Sequence, residues 1–297
     1  MTHSGTRLTL LAGALTVVAA LGCKAEISSG SGPADAITTD VGATLRDEVE
    51  AGLGALTLGS VLDPIGTTQS AGTGTSTVAA ACVSPSTATD SDGDGVPDNA
   101  TYVFTAPPCR FTGWRGGTLD IVGQLQIQDP SPTSAGFGYE ATLTGLRSLF
   151  ISADNKVIQD IRRNGTRTLS GSVAGLVLTA ELQVIRNFTG HPDAAIDKQW
   201  VINYTPAAPL LINDPLPSGA LDIAGTMDWT REPEHFTLVV TTPTPLQYDA
   251  SCTDTVQRIK AGEMHAAGTF GDMQGIVRVR WSGCGAEPRF SFESTEE

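Results

Sequence analysis

Four carboxylates recur through Asp90-Ser91-Asp92-Gly93-Asp94-Gly95-Val96-Pro97-Asp98, and their spacing suits one kind of chemistry. A hard divalent cation such as Ca²⁺ takes its ligands as oxygens presented at alternate positions of a tight loop, with a glycine at the sixth position where the chain turns sharply. Counted from Asp90, carboxylates fall at positions 1, 3, 5 and 9, Gly95 at 6 and the backbone carbonyl of Val96 at 7. Asp90, Asp92, Asp94, Val96 and Asp98 are therefore the candidate calcium ligands. Carboxylates this close repel one another unless a cation lies among them. Position 12 carries Thr101 instead of the bidentate glutamate of the tightest loops, so a weak structural site is expected.

The other reactive residue types do not gather. No G-x-S-x-G elbow, phosphate-binding loop, H-E-x-x-H or dinucleotide fingerprint occurs. His191, His235 and His265 stand apart from one another, and each reads as a surface or strand residue. Glu232 and Glu234 flank Pro233 in an expected turn, and nothing marks them as a glycosidase pair over the other acids. Trp114, Trp200, Trp229 and Trp281 are spread about one per β unit and read as core. The expectation is a protein without catalytic activity.

The acidic nonamer resembles the D-x-D-x-D-G-x-x-D calcium loops of thrombospondin type 3 repeats and dockerin-like modules, over those nine residues alone. The longer run from Cys82 through the loop to Ala100-Thr101-Tyr102-Val103-Phe104 and Pro107-Pro108-Cys109 is similar to a segment that recurs in uncharacterised lipoproteins of bacterial envelopes. That second resemblance implies an address and no activity.

The N-terminus points to the same address. Arg7 precedes an unbroken apolar run, Leu8 to Leu21, which is too short to span a bilayer as a helix and ends on Gly22-Cys23. Ala19-Ala20-Leu21-Gly22-Cys23 resembles the lipobox of bacterial lipoproteins. The resemblance implies cleavage after residue 22, transfer of a diacylglycerol to the Cys23 thiol, and anchoring by the acyl chains. Lys24 follows where an inner-membrane retention signal would have Asp, so an outer-membrane lipoprotein facing the periplasm or the surface is expected.

The chain has 297 residues, with 18 Lys and Arg against 32 Asp and Glu and a net charge of −14. Loss of residues 1–22 removes one base and no acid. Such a surface repels phosphate, which argues against a nucleic-acid partner and leaves membrane attachment to the lipid. Once Cys23 is assigned to lipidation, Cys82, Cys109, Cys252 and Cys284 remain, an even number in an exported chain, and two disulfides are expected. The pairing Cys82 with Cys109 and Cys252 with Cys284 closes the shortest loops.

The positioning elements follow from periodicity. Residues 23–32, rich in Ser and Gly after the lipidated cysteine, read as a flexible tether. Over 33–58, Ile37, Val41, Leu45, Val49, Leu53 and Leu56 recur at helical spacing, while Asp35, Asp40, Arg46, Asp47 and Glu50 fill the other face. That amphipathic helix is read as covering one face or end of a sheet; a lid or plug over a ligand cavity is the functional alternative. From 77 to 292 the chain alternates as β-strands, with Asp154-Asn155 and Asn164-Gly165 as the expected hairpin turns. The segment Gly117-Thr118-Leu119-Asp120-Ile121-Val122-Gly123 recurs as Gly219-Ala220-Leu221-Asp222-Ile223-Ala224-Gly225, which suggests duplicated halves near 100–200 and 205–290.

The fold class expected is mainly β: a large curved antiparallel sheet or incomplete barrel with one N-terminal amphipathic helix packed on it. At fold level this resembles the incomplete barrel plus helices of periplasmic lipoprotein carriers and lipid-binding lipoproteins. That resemblance implies a hydrophobic ligand held between helix and sheet. The alternative is a calcium-stabilised structural or interaction module that meets other envelope proteins. A large apolar hollow would favour the first, a filled interior the second.

Overall fold

The computed structural model describes residues 35–56, 83–84, 88–112, 117–188, 191–252 and 258–295; Cys23, Cys82 and the expected signal and tether lie outside them. One helix, α1 (Asp35–Ala55), is followed by twelve strands. These are β1 (Val83–Ser84), β2 (Asn99–Thr112), β3 (Thr118–Gln128), β4 (Tyr139–Ile151), β5 (Val157–Ser172) and β6 (Gly175–Phe188). They continue as β7 (His191–Pro206), β8 (Gly219–Arg231), β9 (Glu234–Tyr248), β10 (Ile259–Phe270), β11 (Met273–Trp281) and β12 (Arg289–Ser294). All are antiparallel and ordered as in the chain, forming one sheet that does not close into a barrel. Each strand therefore pairs with the next through a local turn, the simplest consequence of a sequence that alternates and turns without a crossover.

One face of the sheet is buried and the other wet. Along β6, Leu176, Leu178, Ala180, Leu182 and Val184 are buried while Val177, Thr179, Glu181, Gln183 and Ile185 are exposed. The buried face curls round α1. The helix meets Tyr139 at the start of β4, whose hydroxyl donates to the Ala55 carbonyl at 2.6 Å, and its Gly42 lies against Phe290 of β12. Eight strand spacings of about 4.8 Å separate those strands, far more than a helix width of about 10 Å, so a flat sheet could not touch α1 at both. Close approach is why α1 carries glycines: a Cβ on Gly42 would fall 2.6 Å from Phe290 and one on Gly52 2.4 Å from Ile202.

One sequence expectation is corrected here. Asn164-Gly165 is not a hairpin turn but the middle of β5; Gly165 has φ 125° and a Cβ there would meet the Glu181 carbonyl at 2.1 Å, so glycine serves a close strand approach. The Asn164 side chain instead accepts from the Gly145 amide at 2.6 Å, filling a register shift between β4 and β5. β5 and β6 meet at a two-residue turn, Val173-Ala174.

Asp154-Asn155 does lie in the β4–β5 turn, with Asn155 at φ 60°. The repeated segments open β3 and β8, five strands apart in the sheet. In both copies the Leu and Ile face the core: Leu119 and Ile121, Leu221 and Ile223.

Candidate functional site

The connections fall into two sets. At one end of the sheet lie the 88–98 loop and the β3–β4, β5–β6, β7–β8, β9–β10 and β11–β12 connections; the remaining connections lie at the other. A disulfide joins Cys252 to Cys284, with Cα atoms 5.8 Å apart, across two connections of the first end. Cys109 of β2 is also disulfide-bonded and wholly buried; its expected partner, Cys82, is outside the described residues.

The acidic loop is built from side-chain caps on its own amides. Asp90 accepts from the amides of Gly93 at 2.8 Å and Gly95 at 3.0 Å, Asp92 from Asp94 at 3.2 Å, and Asp94 from Val96 at 2.9 Å. Gly93 and Gly95 adopt φ 77° and 91°, left-handed values that glycine takes without steric cost. Neighbouring connections clamp the loop: the Gly136 amide donates to Asp94 at 3.0 Å, and the Asn213 side-chain amide donates to the Gly93 carbonyl at 2.9 Å.

Ligand oxygens of Asp90, Asp92 and Asp94 lie within 4.8 Å of one another. Asp92 contributes the observation that bears on a cation: its Oδ2 is buried and has no hydrogen-bond partner. An orphaned buried carboxylate oxygen beside two other carboxylates fits a bound Ca²⁺. Asp98 stands apart from that group. Its carboxylate accepts from the Ser91 amide at 2.8 Å and hydroxyl at 2.6 Å, and those bonds hold its pKa below the usual carboxylate range. The Val96 side chain is buried. Thr101 sits in β2 opposite Gln126, not in the loop.

A second charged site went unrecognised in the sequence. Arg163 and Arg167 of β5, Arg186 of β6, Lys198 of β7 and Arg231 of β8 all point into the core, and α1 answers them with acids. Glu48, 1 % exposed, lies 3.0 Å from Arg163 and 2.5 Å from Lys198. Asp47 meets Arg186 at 2.5 Å and Arg46 at 2.7 Å, and Asp40 pairs with Arg231. Lys198 also lies 4.4 Å from the centre of the Trp200 ring, and Arg231 5.0 Å from that of Trp229.

Burial pushes the Glu48 carboxyl up, but Lys198 and Arg163 outweigh it and hold the group well below the usual range. Burial likewise acts against Asp47 and is outweighed by Arg186 and Arg46. For Lys198 burial wins over Glu48 and brings the ammonium down to about 8; for Arg167 burial and the nearby Arg163 bring it to about 10. The face of α1 that carries Asp40 and Asp47 is thus an internal seam, not a wet surface. The signal that could have located it is parity: Lys198 falls between Ile196 and Trp200 on the buried register, as Arg163 and Arg167 fall between Ile161 and Leu169.

The remaining residues weighed for chemistry are dispersed. His235 is exposed; His265 lies 2.6 Å from Glu263 on the outer face, beside Arg278 and Arg280. Glu234 approaches Arg231 and leaves Glu232 exposed. Trp200, Trp229 and Trp281 are core residues as expected. No protein-family model, no curated protein and no solved structure matches the chain.

Proposed function

We propose that this chain is a non-catalytic lipoprotein of the cell envelope whose sheet is a structural or interaction module with Ca²⁺ in the 90–98 loop. The carrying observation is the complete burial of the apolar face of α1. Val41, Leu45, Val49 and Leu53 of α1, with Leu56 just beyond its end, are at most 1 % exposed, so the helix occupies the space that a ligand between helix and sheet would need. The alternative of a hydrophobic-ligand carrier requires α1 to leave a core it fills. No described helix is long and apolar enough to cross a membrane; attachment in this reading rests on the acyl chains of Cys23.

The fold supports an orientation. Asp40 near the start of α1 pairs with Arg231 at the last residue of β8, and Ala55 at its end meets Tyr139 at the first residue of β4. The helix therefore starts at the end of the sheet opposite the acidic loop. Cys23 precedes Asp35 by only twelve residues, a reach of at most about 43 Å, which the length of one 13-residue strand such as β8 would use up entirely. The acidic loop then faces away from the anchoring membrane, toward envelope partners.

Mass spectrometry of the native purified protein tests the reading in one measurement. The expected result is a diacylated N-terminal cysteine, bound calcium and no retained lipid. An unacylated chain still held in the membrane fraction as Cys23→Ala, or a stoichiometric lipid in the folded domain, would overturn it.

A further inference from the structure

The wet face of the sheet carries a groove of about 390 Å³ across β5 to β8, within the size range of small-molecule sites. Its floor is backbone. Gly165 pairs with Leu182 and Leu182 with Lys198, three residues of one cross-strand row, and the side chains of Leu182 and Lys198 point into the core. The walls are the rows on either side. Asn164, Gln183, Asp197 and Asp228 are successive partners along one wall; Glu181, Gln199 and Thr226 are successive partners along the other, and all seven are exposed. The groove thus runs perpendicular to the strands, and four strands at about 4.8 Å spacing give it a length of about 14 Å between the outer two.

The wall chemistry selects an occupant. Amides and hydroxyls of Asn164, Gln183, Gln199 and Thr226 both donate and accept, and the three carboxylates accept only. No basic side chain projects from either wall; the one lysine in the row, Lys198, points inward to Glu48. Asp197 and Asp228 are direct cross-strand partners, an unfavourable like-charge pair, and Thr237 already donates to Asp228 at 2.6 Å. Further hydroxyl donors would satisfy these carboxylates. Phosphate and sulfate would be repelled.

We propose that this groove binds a neutral, polyhydroxylated chain, the chemistry of a glycan strand, lying across β5 to β8. This rests on the module reading and names one class of partner for it. A row of polar side chains without an aromatic platform makes weak, multi-contact binding the expected regime.

The test is titration of the mature protein in detergent with the N-acetylglucosamine tetramer, followed by calorimetry and by amide chemical shifts. Saturable millimolar binding is expected, with shifts confined to β5–β8 and about a ten-fold loss of affinity in the Gln183→Ala/Gln199→Ala double variant. Both positions are exposed, and an unchanged melting temperature confirms that the variant folds. Dextran sulfate should not bind until Asp197→Asn and Asp228→Asn reduce the wall charge. Absence of saturable binding, an unaffected double variant, equal binding of dextran sulfate to the wild type, or displacement of the tetramer's shifts onto the 90–98 loop would each overturn the proposal. Acylation and calcium response test the module reading separately, so either inference can fail while the other stands.

Discussion

Carboxylates in two regions of this molecule meet opposite fates. Along α1, Asp40, Asp47 and Glu48 are taken out of water and matched by guanidinium and ammonium groups from β5 to β8. In the 90–98 loop, Asp90, Asp92 and Asp94 are matched by backbone amides, and one oxygen of Asp92 is left over. The difference lies in what surrounds each group. A buried anion beside a fixed cation is complete, and removing either partner strands the other in a medium that solvates it poorly. An anion capped by amides keeps its full charge and spare lone pairs, and so retains capacity for a cation from solution. The seam locks the helix in register; the loop remains open to a ligand.

The comparison breaks first at Glu48. Replacing it with Ala leaves Arg163 and Lys198 facing each other in the core, and a loss of about 3 to 5 kcal/mol is expected, read by urea denaturation. Sharpening comes from Glu48→Met with Arg163→Leu and Lys198→Met, which removes all three charges and should recover most of the loss. A loss under about 1 kcal/mol for Glu48→Ala, the range of exposed pairs, would mean that the seam is wet and the contrast false.

The Cys252–Cys284 disulfide spans 32 residues and ties two connections at the acidic end. By loop-closure entropy its removal as Cys252→Ser/Cys284→Ser should cost about 3 to 4 kcal/mol, measured by thermal unfolding. If the loop is a separate, open element, its calcium response should survive this change. Loss of that response together with stability would show that the acidic end behaves as one unit.

The seam also sets how stability depends on pH. Glu48 and Asp47 have folded pKa values below their unfolded ones, so their contribution is present above the ordinary carboxylate range and is lost as pH falls through and below it. Lys198 acts with the same sign at alkaline pH. Its folded value is about 8 against an ordinary 10.5; between them the unfolded chain binds more protons, and this group makes stability rise with pH. In Lys198→Met that alkaline rise should flatten, and the acid limb should begin at higher pH because Glu48 has lost its strongest cation. Identical pH profiles for wild type and variant would remove Lys198 from the seam.

Much of this architecture was legible because the strands alternate. β6 and β8 declare their buried face residue by residue, and α1 is outlined by Val41, Leu45, Val49 and Leu53. What stayed hidden was the sign of burial at charged positions. Alternation marks Arg163, Lys198 and Arg231 as core-facing, but the ordinary preference of bases for water argues the opposite, and only the acids of a helix more than a hundred residues away decide between them. Gly165 misled for a similar reason: Asn-Gly is a strong local turn signal, and here the neighbouring strand overrides it, holding Asn164 and Gly165 in register with Gln183 and Leu182 of β6. At the loop, spacing located Asp90, Asp92 and Asp94 together, but not the turn of Asp98 toward Ser91, which depends on a side chain inside the loop that any small polar residue could have replaced.

The smallest expected effect belongs to the loop, and it most directly tests whether those carboxylates remain available. With three clustered aspartates, Asp98 engaged by Ser91, and no glutamate at the twelfth position, a dissociation constant of roughly 10⁻³ M is expected, at the weak end of extracellular calcium modules. An ion that binds only the folded state stabilises it by RT ln(1 + [Ca]/Kd), about 1 kcal/mol at five times Kd. The melting temperature should therefore rise modestly with millimolar calcium and much less with magnesium, which demands a tight octahedron and sheds water reluctantly. Asp92→Ala should abolish the shift and leave the stability of the metal-free protein nearly unchanged, because relief of the repulsion from Asp90 and Asp94 offsets the loss of the long 3.2 Å bond that Asp92 accepts from the Asp94 amide. A shift that survives in Asp92→Ala would place calcium elsewhere. A wild-type melting curve indifferent to millimolar calcium would make the loop a closed, amide-capped turn, as complete without a cation as the seam is with its own.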